Sequence, residues 1–246
     1  MLITFCSPGR APGASTAALA ITLAWPRDII LAECDPSGGT VYTGACLSFL
    51  PAKGLPQWAA AVSRGADPDA ELSAQLLPLT RPHRQVLALP PGPAPVHTLT
   101  PAWPALATAL GANSRDVIAD VGRIGGTDTP VPLLTAASQV ILVTRPDYPG
   151  LAAAASALRW LAAISSAPVA IMLNGTGTYP RPVVARDLPA PVLAVLPHDP
   201  RSARRLRDGI GPRRRSPLGR RAAAVATDLA TAENPTEEGE SRDRAA

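Results

Sequence analysis

The chain has 246 residues, of which 46% are hydrophobic and only 4% aromatic, and it carries a net charge of +4. This length and composition suit one α/β domain with a core of Ala, Leu, Val and Ile, and they exclude a chain too polar to fold. The three cysteines form no C-x-x-C pair and have no histidines at zinc spacing, which argues against a zinc site and a disulfide framework. A reducing, cytoplasmic location is therefore expected, and residues 1–20 lack the features of a signal peptide.

Seven short apolar runs alternate with stretches of helical spacing, which predicts a doubly wound, mainly parallel seven-stranded sheet with helices on both faces. The predicted strands are Leu2–Cys6, Ile29–Cys34, Gln85–Leu89, Asp116–Ala119, Gln139–Thr144, Val169–Leu173 and Val192–Leu196. The predicted helices are Ser15–Ala24, Leu55–Arg64, Asp69–Leu76, Pro101–Leu110, Val131–Ala137, Gly150–Ile164, Arg181–Leu188, Pro200–Asp208 and Pro217–Thr231. Residues 1–232 form one predicted domain, and the charged segment 233–246 is expected to be a disordered acidic tail.

A long apolar stretch from Gly150 to Leu173 raises the question of a membrane span. Arg159 lies in its middle, and Ser165 and Pro168 interrupt it. A helix followed by a buried strand fits these interruptions better than a membrane span does, so no stable membrane insertion is expected.

Three loops rich in Gly, Asp and Ser follow predicted strands. They read SPGRAPGAST at residues 7–16, ECDPSGG at 33–39 and DVGRIGG at 120–126. In an open parallel sheet such loops meet at the carboxyl edge, where ligands bind. The sequence therefore predicts one pocket that is built from all three loops.

The ordered set of these motifs resembles the ParA/MinD family of P-loop ATPases. The family motifs read K-G-G-x-G-K-[ST]-T, D-x-D-P-x-G-G and an apolar strand that ends in Asp, which is similar to DVIADVG at residues 116–122. Later segments also match in order, namely QVILVTRPD, IMLNG and VLAVLPHDP. The likeness extends over about residues 1–230 and implies a P-loop fold, ATP and Mg²⁺ as cofactors, and a homodimer or protein partner.

The first loop departs from the family motif at both lysine positions. Gly13 matches the last glycine, but Ala14 stands where the phosphate-binding lysine belongs, and Gly9 stands at the other lysine position. The loop residues that the resemblance assigns to the nucleotide are Gly9, Arg10, Gly13, Ala14, Ser15 and Thr16.

The overall composition of the chain does not explain why lysine is absent from position 14. The chain has 22 arginines and one lysine, Lys53, so a general exchange of Lys for Arg would place Arg at position 14. Backbone amides and Ser15 can still hold phosphate and Mg²⁺, whereas hydrolysis is expected to be weak or absent. Arg10 is the cation that the sequence places within reach, although its fork geometry differs from a lysine point charge.

Three further residues take roles from the resemblance, and each has a structural alternative. Asp35 matches the catalytic, water-positioning aspartate, or it caps a turn. Asp120 matches the carboxylate that holds magnesium together with Ser15, or it caps the following segment. Asn174 matches the residue near the adenine, or it is a turn residue before Gly175. Cys6 and Cys34 are predicted core residues, and the three histidines receive no role.

A basic segment, Arg201–Arg221, contains nine arginines and one acid, Asp208, and therefore has a net charge of +8. Such a density attracts polyanions, and nonspecific DNA is the natural candidate, although a solvated surface is the alternative. The predicted DNA-binding residues are Arg204, Arg205, Arg213, Arg214 and Arg215. The acidic residues after Asp228 argue against the amphipathic membrane helix that ends MinD-type proteins.

Three functions stay open from the sequence. The first is a nucleotide-binding protein of chromosome or plasmid partitioning, or of subcellular positioning, with weak or absent ATP hydrolysis. The second is a non-catalytic pseudo-ATPase adaptor that binds a protein or DNA. The third is a basic DNA-associated protein whose nucleotide loop is vestigial.

Overall fold

The structure is a computed structural model, and it describes residues 1–9, 12–46, 53–81, 83–90, 99–209, 211 and 215–232. The strands are β1 Leu2–Ser7, β2 Ile29–Glu33, β3 Leu77–Arg81, β4 Arg84–Leu87, β5 Asp116–Arg123, β6 Gln139–Thr144, β7 Val169–Asn174 and β8 Val192–Leu196. The helices in these ranges are α1 Ala14–Ala24, α2 Val41–Cys46, α3 Leu55–Ser63, α4 Pro68–Gln75, α5 Trp103–Gly111, α6 Val131–Thr135, α7 Tyr148–Ile164, α8 Arg181–Asp187, α9 Pro200–Arg207 and α10 Pro217–Thr231. A short 3₁₀ helix, Thr100–Ala102, precedes α5.

The strands form one sheet in the order β3-β4-β2-β5-β1-β6-β7-β8. Every neighbouring pair is parallel except β3 and β4. After β1 the chain forms β2, β3 and β4 toward one edge of the sheet and returns through β5, which lies next to β1. It then continues through β6, β7 and β8 toward the opposite edge. This confirms the doubly wound, mainly parallel α/β fold and places the change of direction at β1, beside the first loop.

The predicted count of seven strands was wrong by one edge strand. No strand was predicted over Leu77–Arg81, and Pro78, which has no N–H for a sheet ladder, weakens the strand signal there. In the structure this segment is an antiparallel strand at the edge, where only β4 neighbours it and a proline is tolerated. The six-residue helix α2 was also missed, because Gly44 and the β-branched Val41 weaken any helical signal.

Helices cover both faces of the sheet and bury two separate cores. On one face α3 to α8 bury large side chains such as Trp58, Trp103 and Leu158. On the other face α1, α9 and α10 pack through alanines and leucines, for example Ala18 and Leu229. The small side chains of α1 let its backbone approach β1 closely, which brings the start of this helix to the carboxyl edge of the sheet.

The apolar stretch from Gly150 onward divides as predicted into the helix α7 and the buried strand β7. Among the described ranges, no helix combines the length and apolarity that are needed to cross a bilayer. Several predictions concern residues outside the described ranges: the roles of Arg10, Arg213 and Arg214, and the disordered tail at 233–246.

Candidate functional site

The first loop joins β1 to α1 and is fastened to the end of β7. Gly13 has a positive φ of 95° immediately before the helix, and a side chain there would overlap the Asn174 amide. The Nδ2 of Asn174 donates a hydrogen bond of 2.5 Å to the Pro12 carbonyl. Because Gly13 offers no side chain to cap α1, the first-turn amides remain available to an anion.

Ala14 lies at the first position of α1 and is only 5% exposed. Its methyl group belongs to the core that α1, α9 and α10 bury. The position that holds lysine in the family motif is therefore apolar here, and it contributes no charge to the loop.

Asp120 and Ser15 form the centre of the site. Asp120 is buried near the end of β5, where its carboxylate accepts a hydrogen bond of 3.1 Å from the Gly122 amide, and the Ser15 hydroxyl lies near this carboxylate. Burial raises the pKa of Asp120 to about 6; the nearby Ser15 hydroxyl opposes this rise, and the charge of Asp35 adds to it. A hydroxyl and a carboxylate that lie close together at the start of a helix are the protein groups that hold Mg²⁺ beside a bound phosphate.

Asp35 reaches the same point from the loop after β2. Its Oδ1 accepts a hydrogen bond of 2.8 Å from the Ser37 amide, while the rest of the carboxylate packs against Gly122. Partial burial raises the pKa of Asp35, as does the nearby charge of Asp128, whereas hydrogen bonds from Ser37 and the charge of Arg123 lower it. Ser15, Asp35 and Asp120 therefore meet around one glycine, which the sequence predicted as a convergence of three loops.

Gly122 is the residue that allows this convergence. It has a φ of 62°, and a methyl group on its Cα would overlap the Asp35 carboxylate. We expect Gly122→Ala to lower the free energy of unfolding by about 2–4 kcal/mol, from left-handed backbone strain together with the clash. Chemical denaturation of the purified variants measures this loss.

Gly125→Ala is the matched control on the same loop. Gly125 also has a positive φ, of 97°, but no atom lies within 4 Å of the position that a methyl group would occupy. The Gly125→Ala variant should therefore be destabilised only by left-handed backbone strain, which lowers its free energy of unfolding by about 1–2 kcal/mol. Equal losses in the two variants would show that Asp35 does not pack against Gly122.

Glu33 is a buried acid that the sequence analysis did not single out. Its carboxylate accepts hydrogen bonds from the amides of Val41 at 2.7 Å and Leu89 at 3.2 Å. Burial raises its pKa to about 7, and the bonds from these amides moderate the rise. Glu33 thus caps α2 and ties the second loop to the chain beyond β4, which fixes the path of the segment that presents Asp35.

A cavity of about 370 Å³ opens beside the first loop, within the range of small-molecule sites. Gly13 and Thr16 line one side, and Asn174 and His198 lie at the ends of β7 and β8. Its cationic residues are Arg145, Arg204 and Arg207. The structure therefore places Arg204, a predicted DNA-binding residue, beside the loop, and it brings in Arg145, Arg207 and His198, to which the sequence analysis gave no role.

Three further arginines of the basic segment line a second, open depression between the starts of α9 and α10. Arg201, Arg205 and Arg215 lie there. Asp199 links the two helices, because its side chain accepts hydrogen bonds from the amides of Ser202 at 3.0 Å and Leu218 at 3.5 Å. Arg204 lines both this depression and the cavity, so the two surfaces are continuous.

The predicted core cysteines are buried and free, and burial raises the pKa of both thiols. Within the described ranges, no three side chains of His, Cys, Asp or Glu are grouped to hold a metal by themselves. A magnesium ion at Ser15 and Asp120 would therefore take further oxygen ligands from a phosphate and from water.

The eight-stranded sheet, with a glycine loop between β1 and α1 and an aspartate near the end of β5, defines the α/β fold of the P-loop NTPases. More particularly, this is the fold of the ParA/MinD ATPases, and the resemblance drawn from the motifs is confirmed at the level of the fold.

Three solved structures illustrate the likeness. A ParA family ATPase from Chlorobium tepidum TLS is 16% identical, with a TM-score of 0.78 over 93% of this chain and 98% of that one. The septum site-determining protein MinD from Pyrococcus horikoshii OT3, solved with Mg-ADP, is 17% identical, with a TM-score of 0.75 over 93% and 95%. A putative plasmid partition protein from Borrelia burgdorferi B31, bound to AMPPNP, is 12% identical, with a TM-score of 0.70 over 94% and 98%. No protein-family model matches the chain, and no curated protein matches it either.

Proposed function

We propose that this chain is a Mg²⁺-dependent nucleotide-binding protein whose ATP hydrolysis is weak or absent. The main support is the position of the Ser15 hydroxyl near the Asp120 carboxylate at the start of α1, with the Asp35 carboxylate packed against Gly122. In this proposal Gly13, Ser15 and Thr16 hold the phosphates, and Ser15 and Asp120 hold the ion. Asp35 positions water at the terminal phosphate, while Asn174 and the cavity receive the nucleoside.

The apolar residue at position 14 supports weak hydrolysis. A cation on the transferring phosphoryl group stabilises the charge that develops in the transition state, and removing one such group typically slows a reaction by about 10²–10³-fold. Ground-state binding depends less on this charge, because helix amides and a metal ion remain. The proposal therefore separates binding, which is retained, from turnover, which is largely lost.

The biological role that we propose is partitioning or subcellular positioning, through a homodimer or a protein partner. Proteins with a similar fold support this role. They include a putative plasmid partition protein, a septum site-determining protein, and a MinD cell division protein from Aquifex aeolicus that was solved in complex with MinC. A nucleotide that is bound but hardly hydrolysed would make the chain a stable adaptor rather than a cycling motor.

Equilibrium titration with ATP and Mg²⁺ tests the binding proposal. The unmodified chain should bind, and Ser15→Ala and Asp120→Ala should each weaken binding by about tenfold or more, the effect of losing one charge-assisted contact. Asp187→Ala is a control, because Asp187 is an exposed residue whose hydrogen bonds go to its neighbour Arg186. Absence of binding in the unmodified chain would refute the nucleotide function and leave the pseudo-ATPase alternative.

That alternative is an adaptor that binds nonspecific DNA through the basic segment. The continuous surface of Arg201, Arg204, Arg205 and Arg215 favours it, and Arg213 and Arg214 belong to the same segment. Binding to duplex DNA should weaken steeply as salt rises and should weaken again when Arg213 to Arg215 are changed to Gln. Affinity that is indifferent to both changes would exclude a DNA surface here.

A further inference from the structure

Both lysine positions of the family motif are without charge in this chain, yet a cation lies beside one of them. Gly9 occupies the first lysine position. A Cβ built on Gly9 would lie 3.7 Å from the Cδ of Arg123, which is ordinary van der Waals contact. Gly9 has no side chain, so this distance shows only that the Arg123 side chain passes close to the loop at Gly9; its guanidinium group begins one bond beyond Cδ.

The pairing of β1 with β5 fixes this placement. Ser7, the last residue of β1, is in register with Arg123, the last residue of β5, and the carbonyl of Ser7 accepts a hydrogen bond of 3.0 Å from the Ile124 amide. The backbone that leads to Gly9 and the backbone of Arg123 are therefore held by the centre of the sheet, and Arg123 stays next to the loop.

The positive charge of Arg123 also influences Asp35, an acidic residue of the candidate site. It lowers the pKa of the Asp35 carboxyl, although burial dominates and leaves that pKa raised overall. The side chain is exposed, and among the described residues no carboxylate oxygen lies within 4.0 Å of its nitrogen atoms. Its guanidinium donors are thus available to a ligand that lies between Gly9 and Asp35.

We propose that Arg123 holds the terminal phosphate of a bound nucleoside triphosphate in the ground state, without taking over the transition-state role of the missing lysine point charge. This assignment rests on the proposed nucleotide function. The guanidinium fork suits phosphate oxygens because it donates two parallel hydrogen bonds to them. The terminal phosphate is the one assigned because Arg123 lies at the start of the loop and beside Asp35, the residue proposed to position water at that phosphate.

The test compares ATP with ADP, each with Mg²⁺, in the full chain and in Arg123→Gln. The affinity of the variant for ATP should fall by about 10- to 100-fold, which is the effect of losing one charge-assisted phosphate contact. Its affinity for ADP should fall by a factor that is several times smaller. Arg123→Lys should restore part of the loss because it keeps the charge without the fork. Arg159→Gln, which removes an exposed arginine from α7, should bind both nucleotides as the unmodified chain does.

The outcomes distinguish this assignment from the function on which it rests. If the unmodified chain binds ATP and Arg123→Gln binds it equally well, the role of Arg123 is overturned and the nucleotide function stands. Equal losses for ATP and ADP would overturn the assignment to the terminal phosphate. If the unmodified chain binds neither nucleotide, both proposals fall. Circular dichroism and thermal melting of each variant separate a loss of contact from a loss of folding.

Discussion

Ala14→Lys should raise the affinity for ATP with Mg²⁺ by about 10- to 100-fold, and any detectable hydrolysis by about 10²–10³-fold. The reason is that Ala14 is the first residue of α1, directly after Gly13, where a lysine side chain can reach phosphates that are bound by the loop. The arginines that line the neighbouring cavity do not occupy this position, so the new charge adds to theirs. Calorimetric titration and a phosphate-release assay measure the two effects.

The same variant should be less stable than the unmodified chain when no nucleotide is present. Ala14 is almost completely buried, and an ammonium group without a partner there carries a desolvation penalty. ATP with Mg²⁺ should restore much of that stability, because it supplies the partner. Ala14→Met is the matched control, since its side chain is long but uncharged. If Lys gives no gain over Met, the loop does not present its phosphate site to position 14.

The stability of the ligand-free protein should fall as the pH rises from about 4 to 7. Burial raises the pKa of Asp120 to about 6 and that of Glu33 to about 7. A carboxyl group whose pKa is higher in the folded than in the unfolded state stabilises the fold below its unfolded pKa, and this contribution is lost as the pH rises through the folded value. The loss from Asp120 should be on the order of 2 kcal/mol.

Metal binding should show the opposite dependence on pH. An ionised Asp120 is needed to hold Mg²⁺, so the gain in ATP affinity that Mg²⁺ provides should increase between pH 5 and 7 and then level off. Asp120→Asn should abolish this gain at every pH and reduce the slope of stability against pH, with Glu33 providing the remaining slope. Denaturant unfolding and nucleotide titration across this range supply both curves. If the stability of the unmodified chain were constant from pH 4 to 7, the burial assigned to these carboxyl groups would be contradicted.

Much of the fold could be predicted from the sequence because the central strands are short, mainly apolar runs that are bounded by loop residues such as Gly, Pro, Asp and Asn. Leu2–Ser7 and Asp116–Arg123 are examples, and every residue of the first is buried. The elements that were missed depend on tertiary contacts. The edge strand Leu77–Arg81 exists because β4 pairs with it, and α2 begins where the distant Glu33 accepts the Val41 amide.

The candidate site was predicted as one pocket built from three converging loops. The structure brings Ser15, Asp35 and Asp120 close together, but the cavity beside the first loop is lined by residues at and after the ends of β7 and β8 and, among the described residues, by none of the second or third loop. What the sequence could not indicate is which cations reach that point. Arg123 lies beside Gly9 only because β5 is inserted between β1 and β2, a pairing of residues more than a hundred positions apart. Arg204 lines the cavity because α9 packs against α1 with one side toward the loop. The positions of Arg123 and Arg204 therefore depend on strand order and helix packing, and the local sequence around each residue does not reveal them.

The most direct test of this account is the Mg²⁺ dependence of ATP affinity in the unmodified chain, measured at pH 8 with Mg²⁺ or with a chelator. The cluster around Gly122 contains one hydroxyl and two carboxylates, and it needs a phosphate to complete a metal site. ATP should therefore bind about tenfold or more tightly with the ion than without it. The same affinity in both conditions, or no binding in either, would contradict the claim that Ser15, Asp35 and Asp120 form a working phosphate and magnesium site.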